Sequence, residues 1–255
     1  MKQLFRMMLL SAVSVTMPLS IVARDHSDDP DHFFMTIEEV PNSVAIIPAP
    51  PTPESARFAY DREQWDWGKT LRDTERGKQA ISDANLDDTW VDRAFSEAVG
   101  VPLTRENYPV LCGLLYKMRE DAGDLACRSA KEKYQRTRPF VYWNEPTSTP
   151  WDEEFLRTNG SYPSGHTSIG WATALVLAEV FPDRATEILD RGFQFGQSRV
   201  IVGAHYQSDV DQGRVCGSGL VARMHAKKEF VDELNKAKAE VAAKAAANTN
   251  VAMNE

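Results

Sequence analysis

The sequence predicts an all-α protein, a single-domain helical bundle. Three observations carry that expectation. Capped and stopped helical segments follow one another from about residue 54 to 244. No stretch shows the apolar–polar alternation of a half-buried strand. No internal repeat divides the 255 residues, a length that suits one large domain with a sizeable core. With 42% hydrophobic and 26% charged residues the composition is that of a globular chain, not a disordered one.

Taken in order, residues 1–23 read as a signal peptide. Lys2 and Arg6 give a positive start, Met7 to Val22 is uncharged and mostly apolar, and Ala23 offers a small residue for cleavage. The run is short for a membrane span and carries Ser14, Thr16 and Pro18, so a cleaved leader is expected in preference to a retained anchor. Residues 24–50 read as an extended segment, acidic first and proline-rich from Pro48 to Pro53, with Thr52 and Pro53 placed to start a helix. The domain proper is expected over 51–245. Its helices are predicted at 54–70, 73–84, 88–98, 104–120, 121–136, 165–180, 183–199 and 207–244, the last broken near His225, with Gly100, Pro139 and Pro182 as stop signals. Residues 246–255 are expected as a disordered tail. Ile169 to Ala178 is apolar but closed by Glu179, a buried helix and not a span.

The formal charge of −8 argues against nucleic acid or an anionic membrane as partner. An anionic substrate then needs a local cluster of cations. Export would permit a disulfide among Cys112, Cys127 and Cys216, but three thiols allow three pairings and the sequence does not choose. None has a metal-type spacing, and a small buried core residue is the plainer reading of each.

Three segments carry chemistry. Lys131 and Arg138 stand seven residues apart, which on one helix puts both on one face about 10 Å apart along the axis, with Pro139 ending the helix. Pro163-Ser164-Gly165-His166 opens the apolar helix at 165. Such a turn presents free backbone N–H groups and a helix dipole to an anion, Gly165 lets that anion approach closely, and His166 stands at its lip. His205 and Asp209 form an i, i+4 pair in which the carboxylate would fix the imidazole tautomer and leave the other nitrogen as a lone pair. Arg199 adds a planar donor fork suited to phosphate. Each segment alone has a bland alternative: a solvated basic face, a capped helix with an incidental histidine, a surface His–Asp pair.

Together they read Lys-x6-Arg-Pro, Pro-Ser-Gly-His and Ser-Arg-x5-His-x3-Asp, and in that order and spacing the chain resembles the type 2 phosphatidic acid phosphatase and vanadium haloperoxidase superfamily. Within it the stretches 160–172 and 207–211 are similar to the class A bacterial non-specific acid phosphatases, over about residues 45 to 240. The resemblance implies the superfamily's helical fold and a secreted, periplasmic acid phosphatase of broad specificity. It implies that Lys131, Arg138, Arg199, Ser164 and the Gly165 amide hold the phosphoryl oxygens. His205 would attack phosphorus, Asp209 would orient it, and His166 would protonate the leaving group. It implies no metal and no cofactor, phosphate esters of nucleotides, sugars and aryl alcohols as substrates, and a homo-oligomer, a dimer first among the choices. Cys216 stands where the resemblance leads one to expect an apolar residue. The main alternative is an apyrase on the same scaffold; a vanadate-dependent haloperoxidase is a more distant one.

Overall fold

The computed structural model describes residues 32–252; the expected signal peptide and the last three residues lie outside them. Chain order is α1 (Ser43–Ile46), α2 (Ala56–Leu71), α3 (Glu75–Ala84), α4 (Trp90–Val99), α5 (Pro109–Glu120), a π-helical turn (Asp121–Leu125), α6 (Ala126–Tyr134), α7 (Pro139–Tyr142), α8 (Glu153–Arg157), α9 (Gly165–Val180), α10 (Ala185–Ile201), α11 (Gln207–Met224) and α12 (Lys228–Ala252). No strand occurs among the described residues, and the all-α expectation holds.

Local chemistry sets the helix ends. Ser55 Oγ accepts from Phe58 N at 3.2 Å, Thr74 Oγ1 from Gly77 N at 3.3 Å and Ser164 Oγ from Thr167 N at 3.3 Å, each closing a first turn. Pro109 starts α5, and Gly100, at φ 85°, stops α4. The predicted break near His225 falls between α11 and α12.

Helix α9 is the central post. Its small and apolar residues are buried on nearly every face, with α10 and α11 packed along it. Two glycines of α11 let the backbones meet: a Cβ on Gly213 would come within 2.5 Å of Ser164 O, and one on Gly217 within 2.8 Å of Ser168 O. The core is continuous with Phe34, Leu111, Leu115, Val176, Phe195 and Phe230, among others.

Five features differ from expectation. The helix after the proline-rich run is capped by Ser55 and starts at Ala56, not at Thr52 and Pro53, because Ser55 Oγ is the side chain that reaches the first-turn amide. The described part of the segment before residue 51 is not extended throughout but forms α1 and packs into the bundle. Phe33, Phe34, Met35, Val40 and Ile47 are buried in the main core. Phe34 N and Met35 N donate to the Asp121 carboxylate at 3.0 Å each, and burial pushes that carboxyl up to about 7. Helix α5 begins at Pro109, not 104. The single helix expected over 121–136 is a π-turn followed by α6, which ends at Tyr134 because Gln135 turns to φ 40°. Helix α12 continues past residue 245 to Ala252. All three cysteines are buried free thiols; burial pushes Cys112 up to about 11.

After α10 the chain reverses at Gly203, φ 86°, so that Ala204 N and His205 N both donate to Arg199 O, at 3.0 and 3.2 Å. A Cβ there would run into Arg72 Nη2 and lie 2.9 Å from Trp65 Cη2, whereas one on Gly100 would meet nothing within 4 Å. Both Gly→Ala changes incur the left-handed backbone cost of about 1–2 kcal/mol; only Gly203→Ala adds a collision with Arg72 and Trp65. Urea unfolding with unchanged m-values should therefore place Gly203→Ala below Gly100→Ala in stability, and equal midpoints would refute the tight turn.

Candidate active site

The three sequence segments converge, although not by the route expected. Lys131, in the last turn of α6, donates from Nζ to Gly160 O at 2.7 Å and Asn159 Oδ1 at 3.4 Å. Arg138 is not on that helix. It is the extended N-cap of α7, and its Nε and Nη2 donate to Asn159 O (2.9 Å) and Oδ1 (3.3 Å). The two cations thus meet over the Asn159-Gly160 turn, not along one helical face, because Gln135 breaks the helix between them. Arg199, near the end of α10, is 0% exposed, and none of its three guanidinium nitrogens has a hydrogen-bond partner among the described residues. A buried donor left unpaired costs about 1–3 kcal/mol, more when charged, so this fork marks a place for an anion.

The electrostatics agree. Burial, then Arg138, pushes Lys131 down to about 8. Burial, then Arg199, pushes Arg138 down to about 9, and burial pushes Arg199 down to about 10. Asp152, the acid nearest to Arg199 in effect, is itself raised by burial against the opposing pull of Arg199 and Arg138. A tetrahedral dianion would relieve all three cations at once.

His205 stands among them, 2% exposed. It precedes α11, so His205 and Asp209 are not the regular helical pair expected; the Gly203 turn takes His205 out of the helix. Asp209 instead occupies the third position of α11 in a capping box. Its Oδ2 accepts from Tyr206 N at 3.0 Å, from His205 Nδ1 at 3.1 Å and from Ser161 Oγ. A carboxylate only accepts, so Nδ1 carries the proton and Nε2 the lone pair. That lone pair receives Arg138 Nη1 at 2.9 Å. Burial, then Arg138, Lys131 and Arg199, holds His205 well below 6.5. The expected tautomer control is therefore present, reached through a cap and not a helix face.

His166 lies in the first turn of α9. Its Nε2 donates to Ala84 O, the end of α3, at 3.1 Å, which leaves Nδ1 for a transferable proton. Burial, then Arg199, depresses it well below 6.5. Ser164 is the α9 N-cap; its Oγ accepts from Thr167 N and from Thr167 Oγ1 (2.9 Å). Gly165 and His166 contribute first-turn amides, which have no intrahelical acceptor. Gly165 also has a reason the sequence did not suggest: a Cβ there would meet Gly123 O, in the π-turn, at 2.6 Å. Close packing of α9 on that turn requires glycine, whatever binds at the helix end.

Four residues of the site escaped sequence reasoning. Ser161 (0% exposed) and Asn159 hold Asp209 and the two cations. Arg136 donates from Nη1 to Asp209 Oδ1 at 2.6 Å and Ser208 Oγ at 2.8 Å, and from Nη2 to Asp61 Oδ2 at 2.8 Å. Asp61, on α2, also accepts from Ser208 N at 2.7 Å. Arg136 lies inside the Lys-x6-Arg segment, but nothing in that spacing marks it out; Asp61 lies far away in sequence. No group of three His, Cys, Asp or Glu side chains suited to a metal occurs among the described residues.

The site can therefore hold a phosphoryl-sized oxyanion against a neutral imidazole lone pair, with a second imidazole at its edge. Comparison with known proteins points the same way. The PAP2 superfamily model matches residues 121–229, which include every predicted site residue. The non-specific acid phosphatase of Providencia stuartii is 49% identical over 218 residues, 86% of this chain and 88% of that protein. The non-specific acid phosphatase of Salmonella typhimurium is 42% identical over 221 residues, 87% and 88% of the two chains. An acid phosphatase of Zymomonas mobilis is 38% identical over 199 residues, 78% and 75% of the two.

Replacing Arg199 by Met removes an unpaired buried charge at similar length. The variant, free of phosphate, should be at least as stable as the parent protein. Orthophosphate should raise the parent's Tm, by an amount equivalent to about 2.7 kcal/mol at 100 times its Kd, and leave that of Arg199→Met unmoved. Thermal melts with and without orthophosphate decide it; an equal phosphate shift in both would dismiss Arg199 as an anion ligand.

Proposed function

The chain belongs to the PAP2 superfamily, among its bacterial class A acid phosphatases, and from that membership we propose that it hydrolyses phosphate monoesters in two displacements, through a phosphohistidine on His205. The observation that carries this reading is the His205 ring itself: Nδ1–H anchored on Asp209 and the Nε2 lone pair turned to Arg138, with the buried Arg199 and the half-buried Lys131 beside it. The chain's similarity to two non-specific acid phosphatases supports a non-specific phosphomonoesterase over an apyrase or a haloperoxidase.

The phosphoryl oxygens take the donors of Lys131, Arg138 and Arg199, with Ser164 and the Gly165 amide completing the cradle. Arg138 Nη1 exchanges the His205 lone pair for a phosphoryl oxygen. His205 Nε2 then attacks phosphorus as the ester P–O bond breaks, and the positive charge on the ring is met by Asp209. The departing alkoxide takes the His166 proton. A water enters in its place, gives its proton to His166 and attacks phosphorus. The P–N bond breaks, His205 recovers its lone pair, and orthophosphate leaves. Phosphoryl transfer needs positioning and charge neutralisation above all, and protein cations supply both here without calling on a metal.

Export to the periplasm through residues 1–23 and assembly into a homo-oligomer belong to the same proposal. No described helix is long and apolar enough to cross a membrane.

In chelated buffer, His205→Ala should reduce turnover to background on every ester. His166→Ala should retain much of its rate on p-nitrophenyl phosphate, whose leaving group needs little protonation, and lose about 10²–10⁴-fold on alkyl phosphates. An alkaline quench and intact-mass measurement should find the phosphoryl group on His205; finding it on His166 or Ser164 would overturn the roles.

The pH dependence follows from the two histidines. His205 works unprotonated, and its depressed value keeps it so in acid. His166 works protonated, and its depressed value in the empty site puts the alkaline limb of kcat/KM below 6.5. A bound phosphoryl dianion favours the charged form of His166, so the alkaline limb of kcat should lie at higher pH than that of kcat/KM. Coincident limbs, or a flat profile into alkali, would contradict this assignment.

A further inference from the structure

Arg136 lies between Lys131 and Arg138 in sequence but takes no part in the cradle. Its guanidinium is spent on two carboxylates that are both 0% exposed, Asp209 and Asp61, and lies 3.7 Å from the Tyr206 ring centroid. It meets Asp209 through Oδ1, while His205 meets the same carboxylate through Oδ2. Asp61 in turn is fixed by Ser208, which donates to it from both N and Oγ, each at 2.7 Å. A chain of alternating charge thus runs from α2 to the imidazole: Asp61, Arg136, Asp209, His205.

We propose that Asp61 and Arg136 are positioning residues that set the basicity of His205, Arg136 by drawing on the Asp209 carboxylate from the oxygen opposite the imidazole, and Asp61 by limiting that draw. The proposal rests on His205 being the nucleophile. An acid phosphatase needs His205 unprotonated at a pH where His166 is protonated. A carboxylate beside a buried imidazole works against this, because it favours the imidazolium. The groups facing His205 are Asp209 from α11, Lys131 from α6, Arg138 from the start of α7, Arg199 from α10 and His166 from α9, with Asp152 facing the two arginines. Lys131, Arg138 and Arg199 lower its basicity in the empty site, but a bound phosphoryl dianion neutralises them. Arg136 is held by carboxylates and not by substrate, so its influence persists when the cradle is full. Asp61 keeps that influence from emptying Asp209 of the charge needed to steady the phosphohistidine.

Two single changes therefore act in opposite directions. Arg136→Gln removes a positive charge and should raise the His205 titration, moving the acid limb of kcat/KM up by about half to one pH unit, the size of one charge acting through a partly screened interior. Asp61→Asn keeps the shape and, with its amide oxygen in place of Oδ1, the acceptor for Ser208 N, removes a negative charge, and should move the limb down by about as much. The double variant should return close to the parent. Arg136→Lys keeps the charge but not the two-carboxylate fork; its limb should stay in place while kcat falls. Two readouts are needed: the pH profile of kcat/KM, and ¹⁵N-imidazole NMR titration of His205 in phosphate-free protein, which reports the coupling whether or not His205 proves to be the nucleophile. Shifts of the same sign, or a fall in kcat with neither limb nor titration moving, would reduce the pair to packing and overturn the proposal. Asp61→Asn and Arg136→Lys, both close in shape to the parent side chains, keep the test alive if Arg136→Gln does not fold.

Discussion

The structure is organised around one electrostatic constraint: Lys131, Arg138 and Arg199 are brought together inside a helical bundle with no carboxylate hydrogen-bonded to any of them among the described residues. Taking a charge out of water without a partner is among the costliest things a fold can do. Lys131 and Arg138 are only partly satisfied, by the carbonyls of Asn159, Gly160 and Ala204. Arg199 is not satisfied at all. The rest of the bundle holds these groups where they would not go unaided. The apolar post α9 fixes the floor, the Gly203 turn hangs His205 from the Arg199 carbonyl, and the π-turn lets α9 seat against Gly123.

Carboxylates that might collapse onto the cations are each engaged elsewhere. Asp209 is committed to the α11 cap, Ser161, His205 and Arg136. Asp83 is tied to Arg191 and to Ser198, the neighbour of Arg199. Asp61 caps α11 and pairs with Arg136. Asp209, Asp83 and Asp61 each have their own cation or hydroxyl, and Asp152, which faces Arg199 and Arg138, makes no hydrogen bond to either, so the three cations stay available to an anion from solution. Buried ion pairs of this kind are weak evidence for stability; here their placement is better understood as keeping negative charge out of the phosphoryl position.

Most of this was legible in the sequence, and for identifiable reasons. Helix ends are written in local chemistry, as Gly100 and Ser164 show, although the choice of Ser55 over Thr52 as the α2 cap was not read there. The eight candidate site residues drawn from the three motifs lie together because a signature records which side chains act at one place, whatever backbone brings them there. The path of that backbone was less legible. Gln135 adopts φ 40° without being glycine or asparagine, so nothing local announced that α6 ends before Arg138. His205 leaves the helix because of Gly203, whose φ becomes evident only with Arg72 and Trp65 packed over it. Asp61 meets Ser208 across most of the chain, and no pattern in one sequence reports a partner at that distance. The burial of Phe33 to Met35 depends likewise on Asp121, an acid that in sequence looks like any exposed helical charge.

The distribution of contacts also bears on specificity. The unsatisfied polar groups of the site address the group being transferred, not the alcohol that leaves. Close in sequence to Arg138 and Asp152 stand three exposed rings, Tyr142, Trp151 and Phe155, at 48%, 60% and 43% exposure. An aromatic face accepts a base, a sugar ring or an aryl group without demanding a matched set of hydrogen bonds. A site that hydrogen-bonds the whole substrate rejects analogues lacking one partner, because its own buried polar atoms are then stranded. A leaving group met by such rings would strand no such atoms when the alcohol changes. On the proposed reading, binding energy is concentrated on the phosphoryl oxygens, whose charge and geometry are common to all monoesters. On that reading, breadth toward the alcohol and strictness toward the phosphoryl group are two consequences of the same constraint, that Lys131, Arg138 and Arg199 stand together with no carboxylate hydrogen-bonded to them among the described residues.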